Sequence, residues 1–130
     1  MHKCPILPAK LRCVPSQFSW VDQRLVREHR IDQLSHEACA LYLFLVTVAD
    51  AQGLSYYADR SLCQRLSMSA PLLRQARQLL IQQGLVAYRR PLYQVLTLEA
   101  QERAESARLQ PHDDTVDIKA VFQQMWEVLA

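Results

Sequence analysis

The chain has 130 residues, half of them hydrophobic and 22% charged, which is enough for one compact domain and too apolar for a disordered tail. Two glycines and six prolines leave little room for long irregular loops, so helix is expected to dominate. The formal net charge is only +2, but it is unevenly spread. Residues 59–98 hold six arginines against the single acid Asp59, and residues 99–130 hold three basic groups against seven acids. No apolar run reaches the roughly 20 residues of a bilayer span. Prolines also interrupt the basic N-terminus where a signal peptide would need its apolar stretch. The chain therefore reads as soluble and cytoplasmic. The four cysteines, Cys4, Cys13, Cys39 and Cys63, form no CxxC pair and read as reduced thiols.

Residues 1–17, "MHKCPILPAKLRCVPSQ", contain three prolines and no helical period, and read as an extended arm. "FSWVDQRLV" follows with Phe18, Trp20, Leu25 and Val26, and suits a short strand, a turn of helix, or both in succession. In "SHEACALYLFLVTVAD", Ser35 is an N-cap and Leu41, Leu45 and Val48 recur at i, i+4 and i+7. Leu43 and Phe44 widen that stripe, which predicts a central helix buried on most sides and ended by Gly53.

"LSYY" is a strand candidate, and Asp59–Leu66 spans two helical turns before the joint "SMS". Ser69 caps the next helix, Pro71 sits in its first turn, and Gly84 stops it. Two alternating segments, Leu85–Tyr88 and Tyr93–Leu98, then flank "RRP" as a hairpin.

On a helical wheel centred on Leu80, Leu73 and Ala76 fall on the core side. Gln75, Gln78 and Gln82 fall opposite, Arg74 lies on the flank, and Arg77 lies near the core edge, with its head free to reach a phosphate. Amides pair with adenine edges and guanidinium with guanine, so this face suits the major groove; the plainer reading is a solvated helix surface. Arg89 and Arg90 on the hairpin suit backbone or minor-groove contact, or simple protection of a sheet edge. Arg60 and Arg65 suit phosphates, with pairing of Arg65 to Asp59 or to acids of the tail as the alternative. The strand tyrosines Tyr56, Tyr57, Tyr88 and Tyr93 read as half-buried cross-strand partners.

The order helix, strand, short helix, turn, helix, hairpin over residues 18–98 resembles a winged helix-turn-helix DNA-binding domain. The likeness rests on "GLSYY", "DRSLCQRLSMS", "APLLRQARQLLIQQGLV" and "AYRRPLYQVL". It extends to small winged-helix proteins of mobile elements and to plasmid and phage replication initiators. The fold class it implies is mainly α with a small β-hairpin wing, followed by an amphipathic C-terminal helix. It nominates Ser69, Arg74, Gln75 and Gln78 for base contact, and Arg60, Arg65, Arg77, Arg89 and Arg90 for wing or phosphate contact.

His2, Cys4 and Cys13 lack the spacing and the fourth ligand of a structural zinc site. No P-loop, GxSxG or HExxH occurs, so no enzyme activity, metal or cofactor is expected. In residues 99–130, Ile118, Phe122, Met125 and Leu129 make an apolar stripe that Trp126 broadens. A helix of that length will not stand alone: it docks on its own domain, on a second copy or on another protein, and a homodimer is the expectation favoured over a lid on the core. The function expected is binding of double-stranded DNA, as a transcriptional regulator or as an accessory factor of a mobile element or replicon. The alternative is a protein–protein adaptor on the same scaffold.

Overall fold

A computed structural model describes residues 2–99. These residues form a mixed α/β arrangement of four α-helices and one small antiparallel sheet: α1 (Arg24–Arg27), α2 (His36–Val48), β1 (Leu54–Tyr56), α3 (Asp59–Leu66), α4 (Ala70–Gln82), β2 (Val86–Arg89) and β3 (Leu92–Val95). Residues 2–17 are exposed throughout, with a single 3-10 turn at Pro8–Lys10.

The two long helices begin where serine can accept an otherwise orphan N–H. Ser35 Oγ takes the Ala38 N–H at 3.1 Å, and Ser69 Oγ takes the Leu72 N–H at 3.4 Å. α4 ends in paired bonds from Gly84 N–H to the Ile81 carbonyl and from Leu85 N–H to the Leu80 carbonyl. Gly84, at φ 71°, supplies the left-handed residue that this ending requires. α3 closes the same way, with Met68 N–H bonded to the Cys63 carbonyl, but here the left-handed residue is Ser67 at φ 53°. That reversal sets α3 and α4 at the sharp joint expected from "SMS".

α2 and α4 pack on each other, and the sheet meets both, β2 against α4 and β3 against α2. Leu41, Leu45, Leu62, Leu73, Leu80, Leu85 and Tyr93 are fully buried in the shared core. α2 differs from its expected face: Leu43 is 63% exposed, whereas Tyr42 is buried. Burial raises the pKa of the Tyr42 hydroxyl, and the charge of Asp22 adds to the effect.

Gly53 does not cap α2, which already ends at Val48. It belongs to a turn organised by Asp50, whose Oδ1 accepts the N–H groups of Gln52 and Leu54 at 2.8 and 2.9 Å. At φ 84° its backbone lies so close to β3 that a Cβ there would sit 2.7 Å from the Val95 carbonyl oxygen.

The strand order is β1-β3-β2. Ser55, Tyr93 and Tyr88 form one cross-strand row, and Tyr56, Leu92 and Arg89 form the next. The hairpin turn is only Arg90 and Pro91, joined by a cis peptide bond, because Arg89 pairs with Leu92 instead of belonging to the loop. After Val95 the chain leaves the sheet and turns back towards α1. Arg24 Nη2 donates to the Leu98 carbonyl at 3.0 Å, and Arg30 donates to the Glu99 carbonyl.

The backbone geometry orders three substitutions. Gly84→Ala is expected to cost about 1–2 kcal/mol, for conformation alone. Gly53→Ala should cost more, since β3 must also move. Ser67→Gly should gain up to about 1 kcal/mol. Urea denaturation of the three variants beside wild type checks the order.

Candidate nucleic-acid interface

Burial of Leu73, Ala76 and Leu80 fixes the roll of α4, and so puts Arg74, Gln75 and Gln78 on its exposed side. Ser69 is exposed at the start of the same helix, immediately after the joint. Arg60 and Arg65 are exposed on α3, and Arg89 and Arg90 are exposed at the hairpin end.

Arg77 stands apart from this group. Its position on the helical wheel leaves its head free for a phosphate, but the structure turns it inward, 11% exposed. Nη1 lies 2.8 Å from Asp59 Oδ1 and 2.9 Å from the Tyr93 hydroxyl, and Nη2 lies 3.4 Å from Asp59 Oδ2. The guanidinium also covers the Tyr88 ring, 4.3 Å from its centroid. The arginine that holds Asp59 is thus Arg77 on α4, not Arg65 on its own helix. The reason is geometric: a core-edge position on α4 places a long cationic stem directly against the inner face of the hairpin.

Burial opposes the charge of Arg77, but the bonds to Asp59 and Tyr93 outweigh it and hold the guanidinium more firmly protonated. Hydrogen bonding from Arg77 holds the Asp59 carboxyl below its ordinary range, and the charges of Arg77, Arg90 and Arg74 add to this. The one acid of residues 59–98 is thus paired with Arg77 of α4. Burial raises the pKa of Tyr93, with the Arg77 hydrogen bond working the other way.

The tyrosines divide. Tyr88 and Tyr93 are cross-strand partners with ring centroids 4.6 Å apart, and Tyr57 packs edge-on against Phe44 at 5.0 Å. Tyr56 is no half-buried partner: it is 72% exposed. His2, Cys4 and Cys13 are exposed, and among the described residues no three His, Cys, Asp or Glu side chains form a metal-binding group. Among the same residues no helix is long and apolar enough to cross a membrane. Ile118, Phe122, Met125, Trp126 and Leu129 lie outside the described residues.

Sequence reasoning missed the Asp59–Arg77–Tyr93 cluster. The one signal for it was the isolation of Asp59 among six arginines, one of which occupies a core-edge position. No family model matches the chain, and neither a curated protein nor a solved structure matches it.

Removing the guanidinium by Arg77→Met should cost about 2 kcal/mol, because it deletes charged hydrogen bonds and leaves the Tyr93 hydroxyl without its donor. Asp59 has a lowered pKa, so its contribution is complete above its ordinary value of 3.8 and is lost as pH falls through the folded value. Tyr93 has a raised one, so its contribution is complete below its ordinary value of 10.0 and is lost as pH rises past it. Thermal melts across pH, wild type against Asp59→Asn, should show the acid-side loss flattened in the variant and the alkaline loss kept.

Proposed function

We propose that the chain is a winged helix-turn-helix protein that binds double-stranded DNA, acting as a transcriptional regulator or as an accessory factor of a mobile element or replicon. One observation carries the reading. An amide- and guanidinium-bearing face of α4 follows a tight α3–α4 joint, and Arg77 ties that helix to Asp59 of α3 and to Tyr93 of the hairpin that carries Arg89 and Arg90. In this reading Ser69, Arg74, Gln75 and Gln78 meet base edges in the major groove. Arg60, Arg65, Arg89 and Arg90 meet phosphates. Arg77 is a positioning residue that fixes α4 against the wing. The apolar stripe of residues 118–129 is assigned to a homodimer contact, which would set two recognition helices on a two-fold site.

A separate observation favours the adaptor alternative. Phe18, Trp20 and Leu43 are exposed, and the Ser19 hydroxyl, which donates to the Thr47 carbonyl at 3.1 Å, holds the first two beside the end of α2. Such apolar side chains suit a protein partner better than a phosphate backbone.

Fluorescence anisotropy with duplex DNA across a salt series separates the two. The DNA reading expects affinity to fall steeply with salt, and Arg89→Ala/Arg90→Ala to lower the log–log slope by about one for each phosphate no longer neutralised. Arg74→Ala should cost about 1–3 kcal/mol at a selected site. Absence of binding even at low salt would leave the adaptor reading standing.

A further inference from the structure

Ser55 and Tyr93 are buried in one row of the sheet, so alternation sends the next row to the opposite face. That row runs Tyr56, Leu92, Arg89 across β1, β3 and β2. It is the row nearest the hairpin turn, and the Tyr57 N–H is bonded to the Pro91 carbonyl at 3.2 Å, which fastens the end of β1 to that turn. Two residues further on, α3 begins, with Arg60 exposed in its first turn. The outer end of the sheet thus presents a large exposed phenol in the same cross-strand row as Arg89, four residues before the exposed Arg60 of α3.

Tyr57, Tyr88 and Tyr93 each have their ring engaged with a second ring, whereas the ring of Tyr56 is exposed at this end of the sheet. A flat aromatic on a surface that also carries arginines suits a sugar–phosphate backbone, because the ring packs on the apolar face of a deoxyribose while arginines neutralise nearby phosphates. We infer that Tyr56 is a DNA-backbone contact residue, packing its ring on a deoxyribose beside the wing and extending the interface from α4 and the hairpin onto β1. This rests on the DNA-binding reading above. The phenol adds buried area and no charge, and it fixes where along the backbone the hairpin comes to rest.

A neutral contact leaves a signature that an arginine contact does not. Duplex affinity should be measured across a salt series for wild type, Tyr56→Ala, Tyr56→Phe and Arg74→Ala, with thermal melts as a control for folding. Tyr56→Ala should weaken binding about tenfold, the size of one aromatic packing interaction with nucleic acid, with the salt slope unchanged. Tyr56→Phe should bind as wild type. If Tyr56→Ala binds as wild type while Arg74→Ala is weakened, the inference is overturned and the DNA reading stands. Equal weakening in Tyr56→Phe and Tyr56→Ala would overturn the packing of the ring. If wild type does not bind duplex DNA at low salt, both fall together.

Discussion

Arg77 is where three parts of the fold are fastened. It rises from the middle of α4, bonds Asp59 at the start of α3, bonds Tyr93 on β3 and covers the ring of Tyr88 on β2. Burying a guanidinium is unfavourable unless its charge and donors are matched, and here a carboxylate, a hydroxyl and a π-face match them together. The apolar core holds α4 against α2, but apolar packing is non-directional and tolerates sliding. The Arg77 cluster has direction, and it sets the angle at which α4 meets both the short helix before it and the hairpin after it.

The same cluster shapes the electrostatics of the exposed side. Asp59 is engaged by Arg77 on one side, yet 43% of its side chain remains accessible, and Arg74 and Arg90 act on it from two elements. Its charge therefore offsets part of theirs.

Much of this is legible in the sequence, and the failures have physical reasons. Ser35, Ser69 and Gly84 announce helix ends because capping is a local matter of one hydroxyl or one left-handed residue. The core face of α4 is readable because a single period runs through Leu73, Ala76 and Leu80. Gly53 looks like a helix cap in the sequence because its real requirement comes from β3, far later in the chain. Leu43 lies outside its expected stripe and Tyr42 inside the core because the roll of a nearly all-apolar helix is decided by what packs on it, which periodicity does not encode. On the candidate interface, the exposed face of α4 is legible, but the inward turn of Arg77 and the outward turn of Tyr56 are not. The turn of Arg77 depends on partners from α3 and the hairpin that meet it only in the fold, and that of Tyr56 on strand register, where a shift of one residue reverses which face a side chain takes.

Arg24 and Arg30 hold the carbonyls of Leu98 and Glu99, so the segment entering the helical core and the segment leaving it are side by side. A domain whose entry and exit touch can be spliced into another chain at a surface turn without stretching its host. It can also be circularly permuted by a short connection between residues 22 and 99, with new ends opened elsewhere. Residues 22–30 and residues 98–99 are consequently neighbours on the domain's surface.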